Sequence, residues 1–336
     1  MFGFLKNTSA SAARKTHAAC SGCGLCLLVC PVWRLSREPG HTPRGRAKAL
    51  QHGAGIDELA GSIESCALCG ACEPVCPEEI DLVEMVVDLR RQLPGLATKQ
   101  APQTPIAERA TQPRAQLRSS RVLLPGQTLR AHPETLARVL ALLGNTGKVD
   151  VGEDSGEDIS LALESGVEIP PRRLAQFLEP LRSLKILMVD DGLLLRYLRQ
   201  WLPRTGIISL GEVLSGLVAV RRSLEATDLY VIEPRAYHAD YQRLVKYYNG
   251  LHKATGCMLN LDLQRIAIPA TVHSLSQRLG LTAPDNGDQA RWVTHGRKIT
   301  RIVVESMADR IVFERAGGSS VAPVVPVVHV ADLLNI

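Results

Sequence analysis

The chain has 336 residues, 45 % hydrophobic and 22 % charged, a balance that supports a folded core and excludes wholesale disorder. Its formal net charge is +5 and aromatics make up 4 %. So mild a basic excess and so few stacking rings point away from nucleic acid. No stretch reaches the ~18 uninterrupted apolar residues of a membrane helix, since residues 25–33 are broken by Cys26, Cys30 and Pro31, and residues 321–331 carry Pro323, Pro326 and His329. The N-terminus lacks the apolar core of a signal peptide. The expectation is a cytoplasmic protein without direct membrane insertion, membrane-associated only through partner subunits.

Residues 1–19 read as a flexible polar N-terminus. Beyond them lie eight of the nine cysteines, between Cys20 and Cys76. In a cytosolic setting so dense a group points to metal rather than disulfides. Both runs, Cys20-x2-Cys23-x2-Cys26-x3-Cys30-Pro31 and Cys66-x2-Cys69-x2-Cys72-x3-Cys76-Pro77, have the spacing that ligates 4Fe–4S clusters in two-cluster ferredoxins, where the fourth cysteine serves the other cluster. A chain looping tightly around a cubane meets a corner about every third residue. Gly24 and Gly70 suit a backbone passing close to the cluster with its amides turned to the sulfurs. The x3 step and the proline then lead the chain away. Cluster 1 is thus assigned to Cys20, Cys23, Cys26 and Cys76, and cluster 2 to Cys66, Cys69, Cys72 and Cys30. Zinc also favours C-x2-C pairs, but a tetrahedral site leaves the third cysteine and the C-x3-C-P step without a role, twice.

The spacer, residues 31–65, is too long for a compact ferredoxin. Residues 45–52 and 57–63 have helical composition, Asp57 being a candidate cap. Residues 81–93 set Leu82, Met85, Val86, Leu89 and Leu93 at helical spacing, with Arg90 and Arg91 near the end favoured by the helix dipole. Residues 20–95 therefore read as an α-helical ferredoxin domain with two 4Fe–4S clusters, and residues 96–120, rich in Pro and Gln, as a linker.

From residue 121 short apolar runs alternate with amphipathic stretches. Strands are expected at 121–124, 149–151, 185–189, 229–232, 301–304, 311–313 and 324–328. Helices are expected at 133–143, 172–184, 193–202 and 239–251, with a short helix at the end. Such alternation implies two small α/β modules, 121–215 and 216–336, giving an α + α/β chain overall.

The other candidates have simpler readings. Cys257, beside Met258 and Leu259, reads as a small buried hydrophobe rather than a redox thiol. Asp190 and Asp191, at the end of a strand where α/β ligands bind, could hold a metal or act as acid and base, with a helix cap as the simpler role. Asp150, Glu153, Asp154, Glu157 and Asp158 form an acidic patch without the calcium-loop pattern. His17 could tune the first cluster or sit exposed. Arg34, Arg37, Arg44, Arg46 and Lys48 could face an acidic partner, the anionic clusters or only solvent. No P-loop, dinucleotide fingerprint or nucleophile elbow is present. No catalytic residue is assigned, and hydride chemistry would belong to another subunit.

The N-terminal third resembles the iron–sulfur subunits of heterodisulfide-reductase-like and glycolate (lactate) oxidase complexes. The likeness rests on both cysteine runs, on Thr42-Pro43-Arg44-Gly45-Arg46, on the Cys76-Pro-Glu-Glu-Ile-Asp-Leu segment and on the helix ending Leu89-Arg90. Beyond residue 120 the chain resembles the family's paired cysteine-rich (CCG-type) modules with their cysteines gone. Pro-Gly-Cys is replaced by Leu124-Pro125-Gly126-Gln127, Cys-Cys-Gly falls near Val151-Gly152-Glu153-Asp154, and Cys-x-x-Cys falls near Asp190-Asp191-Gly192-Leu193. Only Cys257 remains in the second module, while His329 and Asp332 keep the closing pattern. In that family those cysteines hold a further cluster; one thiolate cannot, so no third cluster is expected.

The resemblance implies an electron-transfer subunit with two 4Fe–4S clusters in an oxidoreductase complex. Its expected partners are a flavin-bearing or disulfide-active subunit and a further electron acceptor, in a hetero-oligomer. Two alternatives stay open: an oxidoreductase with its own active site between the two C-terminal modules, and a regulator that uses its clusters structurally or as a sensor.

Overall fold

The computed structural model describes residues 14–93, 118–278, 287–317 and 325–334. Most of the expected N-terminal segment and linker, and the start of the last expected strand, lie outside the described residues. The cysteine region is helical: α1 (Leu25–Val29), α2 (Pro31–Ser36), α3 (Pro43–Gln51), α4 (Ala60–Ser65) and α5 (Leu82–Gln92). Pro31 and Pro43 open α2 and α3 at the first position, where a proline's missing N–H costs nothing. Asp81 caps α5 by accepting from the Glu84 N–H at 3.1 Å.

Two four-stranded parallel sheets follow. The first has order β2-β1-β3-β4, made of β1 (Arg121–Leu124), β2 (Asp150–Val151), β3 (Ile186–Val189) and β4 (Gly206–Ser209). The second repeats the topology as β6-β5-β7-β8, with β5 (Asp228–Val231), β6 (Met258–Leu259), β7 (Arg301–Val304) and β8 (Val327–His329). The chain is therefore α + α/β, a helical ferredoxin-like region followed by two small parallel-sheet modules.

Alternate residues of each strand feed different cores, which is why the strands read as unbroken apolar runs. Val122, Leu124, Leu187 and Val189 join Val86, Val87 and Leu89 of α5 in one core. Leu123 and Met188, on the opposite face, share a second core with Tyr230 and Val303 of the other sheet. Leu229, Val231, Ile302 and Val304 then pack on Val312 and Phe313. The cysteine region and both modules are thus stacked layers rather than beads on a string.

One expected strand is wrong. Residues 311–313 lie inside the helix Met307–Gly317, where Met307, Val312, Phe313 and Ala316 turn inward and Arg310 pairs with Glu314 at 2.8 Å one turn on. Three apolar residues are too short a window to separate a strand from a buried helical face. The helix expected at 239–251 is instead two, Pro234–Ala239 and Tyr241–Thr255, joined at Asp240. The strand β4 and the helix Glu157–Ser165 were not anticipated.

The modules meet where the helices Gly192–Trp201 and Pro234–Ala239 cross. The crossing is close because position 192 has no side chain: a Cβ there would sit 2.2 Å from Glu233 Oε2 and 2.6 Å from the Ala236 nitrogen. Gly192→Ala should destabilise the protein by about 1–3 kcal/mol in urea unfolding, as overpacking does. Gly61→Ala, on α4 with nothing within 4 Å, should be neutral or stabilising by under about 1 kcal/mol.

Candidate metal centre

The two cysteine runs share left-handed turns at matching positions. Gly22 and Gly24 have φ of +83° and +82°, and Leu68 and Gly70, at the matching positions, have φ of +50° and +74°. Left-handed turns at alternate positions roll successive N–H groups to the inside of a loop, the concavity that binds anionic groups. Leu68 takes this conformation despite its side chain, a strained choice for a residue that is not glycine.

Cys30, Cys66, Cys69 and Cys72 line one cavity, closed by Arg46 and by Leu82, Val83 and Val86 of α5. Cys30 reaches it because the chain leaves the first run through Pro31 into α2, and the Val32 and Trp33 amides face its sulfur. Burial pushes the Cys69 thiol up to about 12 and Cys72 well above its ordinary range. Four such sulfurs around one buried space are costly as free thiolates and fit a group that supplies compensating positive charge. Cys20, Cys23 and Cys26 are electrostatic neighbours, with Cys26 pushed up to about 11 by burial and the Arg44 amide facing it. Cys23 is exposed, and Cys20 and Cys76 both pack on the core that α5 shares with the first module.

The Thr42–Arg46 segment has a mechanical role. Thr42 caps α3 through the Gly45 N–H at 3.0 Å, and a Cβ on Gly45 would lie 2.1 Å from the Pro39 carbonyl. Arg44 Nε holds the Gly22 carbonyl at 2.9 Å and Lys48 Nζ the Cys20 carbonyl at 3.1 Å. Arg46 is buried and donates to the Ser62 carbonyl at 2.7 Å. Arg34 stacks 3.8 Å over Trp292, and the Arg37 guanidinium lies 5.9 Å from the Trp33 ring. Most of this basic group is therefore engaged with the protein itself.

Two residues matter more than the sequence reading suggests. Arg196 bridges Glu73 at 2.7 Å and Asp81 at 2.8 Å, tying the second run to the first module. Arg90, expected only to complement a helix dipole, is 1 % exposed and donates to the carbonyls of Cys66 and Glu164, both at 2.6 Å. The leading clue is its place in the Leu89-Arg90 helix end; Arg196 offers none.

Where the central strands of the modules end, carboxylates form internal locks. In the first, Asp190 Oδ2 accepts from the Gly126 N–H at 3.0 Å; in the second, Glu305 Oε2 accepts from the Glu233 N–H at 2.9 Å. These are the same bond in the two repeats, joining the exits of the two central strands, where α/β ligands bind. Burial raises both carboxyls to about 7. Asp191 caps the helix Gly192–Trp201, accepting from Leu193 and Leu194 at 2.9 Å each. Of the acidic patch, Asp154 and Asp158 grip Arg173 at 2.8 and 2.7 Å, and Asp150 accepts from the Ser119 amide at 2.7 Å. His17 begins a short helical turn and is partly exposed. Cys257 is fully buried.

Residues 16–80 match the family model for a 4Fe–4S dicluster domain. A 77-residue stretch is 35 % identical to the probable glycolate oxidase iron–sulfur subunit of Bacillus subtilis, covering 21 % of this chain and 17 % of that protein. An 85-residue stretch is 34 % identical to an uncharacterized iron–sulfur protein of Methanocaldococcus jannaschii, covering 24 % of this chain and 17 % of that one. The similarity thus spans about a sixth of each relative's length. No solved structure matches the chain. The fold and the matches together define an iron–sulfur protein of the electron-transfer class. Its cysteine-rich region is similar to 4Fe–4S dicluster domains.

Two outcomes follow. Cys30→Ala should remove the same cluster signal that Cys72→Ala removes and spare the one lost in Cys23→Ala, read by EPR of the reduced proteins. His329 Nε2 donates to the Glu305 carbonyl at 3.0 Å while Nδ1 accepts from the Ala331 N–H, so the ring is held neutral, and burial lowers its pKa to about 4. The unfolded chain takes up that proton near pH 6.5 and the folded one only near pH 4, so stability is lost as pH falls between them. His329→Gln should flatten the slope of unfolding free energy between pH 6.5 and 5 by up to about 1.4 kcal/mol per pH unit.

Proposed function

We propose that this chain is a relay subunit that carries single electrons through two 4Fe–4S clusters, one held by Cys20, Cys23, Cys26 and Cys76 and the other by Cys66, Cys69, Cys72 and Cys30. The observation that carries the reading is the cavity in which Cys30, from the first run, meets Cys66, Cys69 and Cys72 from the second. That exchange of fourth ligands is what the C-x2-C-x2-C-x3-C-P pattern requires. A bound 4Fe–4S cluster supplies reversible one-electron chemistry.

The chain's own residues fix where that chemistry happens. Cys30, Cys66, Cys69 and Cys72 line one cavity, the α5 side chains close it, and Arg46 adds buried positive charge beside it. The first site lies nearer the surface: Cys23 is exposed, and Leu25 and Leu28 expose 42 % and 63 % of their area next to it. An apolar patch beside an accessible centre suits a docking partner. We place the chain in a hetero-oligomeric complex of heterodisulfide-reductase-like or hydroxy-acid-oxidase-like type, with a flavin-bearing or disulfide-active subunit and a further acceptor. The Bacillus subtilis relative's name supports an oxidoreductase complex. No helix among the described residues is long and apolar enough to cross a membrane. The reading divides the chain into a ferredoxin domain at 20–95, a linker at 96–120 and scaffold modules at 121–215 and 216–336. The carboxylate locks at Asp190 and Glu305 occupy both strand-exit crevices, which favours scaffolding over a separate active site in the modules.

Protein purified without oxygen should hold about eight iron and eight sulfide per chain, the content of two cubanes. Its visible absorbance should bleach reversibly with a one-electron reductant. An iron-free preparation, about four irons, or clusters that cannot be reduced would sink the proposal.

A further inference from the structure

We propose that Arg90, Arg235 and His238 are positioning residues for the Cys66–Cys72 loop, and that through Arg235 and His238 the second C-terminal module sets the reduction potential of the cluster bound there. The inference rests on the reading that Cys30, Cys66, Cys69 and Cys72 hold a 4Fe–4S cluster.

Three carbonyls of this loop are held by donors from outside it. Arg90 Nη2 donates to the Cys66 carbonyl at 2.6 Å, Arg235 Nη2 to the Ala67 carbonyl at 2.6 Å, and His238 Nδ1 to the Cys69 carbonyl at 2.7 Å. The tautomer of His238 follows from its other nitrogen, which accepts from the Ala267 N–H at 3.2 Å, so the proton sits on Nδ1. The approach is tight, since a Cβ on Gly70 would lie 3.0 Å from His238 Cβ. Arg235 is itself fixed by Glu164, at 2.9 Å, and Glu164 also receives Arg278 at 2.6 Å. Burial alone would raise Glu164, but the cations around it hold it at about 2, so it stays a fixed negative anchor.

The first loop is held differently. Its Cys20 and Gly22 carbonyls are bound by Lys48 and Arg44, both from α3 of the same region. Two loops with the same cysteine spacing and matching left-handed turns therefore sit in different electrostatic surroundings. Pinning a carbonyl outward aims the peptide's dipole, and hence neighbouring N–H groups, at the sulfurs. A guanidinium in a buried setting acts with little screening by water. Both effects favour the more negative, reduced state of whatever the loop encloses.

The test uses the full chain, purified anaerobically, with an EPR-monitored redox titration and an iron count. Cys23→Ala and Cys72→Ala assign the two signals. His238→Phe and Arg235→Gln should each make reduction of the Cys72-dependent cluster about tenfold less favourable, 59 mV for one electron, and leave the other signal in place. His238→Asn, which can carry an N–H near the Nδ1 position, should recover most of the shift. Loss of the Cys72-dependent cluster alone also counts for the proposal. No shift, an equal shift of both signals, or loss of both overturns it. A wild-type protein with no Cys72-dependent signal would instead defeat the underlying ligand assignment.

Discussion

A backbone that turns a cysteine inward at every third position leaves some of its carbonyls without a partner in the run, here those of Cys20 and Gly22 in the first and of Cys66, Ala67 and Cys69 in the second. Its amides point to the interior of the loop, and these carbonyls need donors from elsewhere, because an unpaired buried carbonyl is costly. Much of this structure answers that requirement. At the first run the donors are local and come from α3. At the second they arrive from α5 and from Arg235 and His238, far along the chain. The cysteine region and the second module are therefore bound through the site itself.

The same demand explains the buried charges. Arg90 and Arg46 are each 1 % exposed, and a guanidinium is suited to the interior only where several acceptors surround it. Arg90 finds carbonyls of Ile63, Glu64, Cys66 and Glu164. The ion pairs of Arg196 and Arg235 extend the frame to both modules.

The two modules repeat one another. Each keeps four parallel strands in the same order, and each closes its strand-exit crevice with a carboxylate bound to a backbone amide. The locks are internal and satisfied by neighbouring groups. Glu305 also receives the Tyr230 and Tyr248 hydroxyls at 2.9 and 2.6 Å, so its carboxylate is surrounded by donors.

The sequence by itself determined the chemistry and the class of fold. Cysteine spacing is a local property, dictated by how far a chain travels between two corners of an inorganic group, so both runs were legible. Gly24 and Gly70 were legible for the same reason, since a left-handed turn leaves a glycine behind; Leu68 hid its turn by not being one. The strands at 121–124 and 301–304 were readable because burial on both faces makes a short run wholly apolar, and residues 311–313 were misread by that same rule. Only the tertiary structure decided which distant side chains complete the site. Arg235, His238 and Arg196 act across long sequence separations, and a hydrogen bond to a backbone carbonyl asks nothing of the residue type at the accepting end. Such partners leave no periodicity and no spacing, and appear only when the layers are stacked.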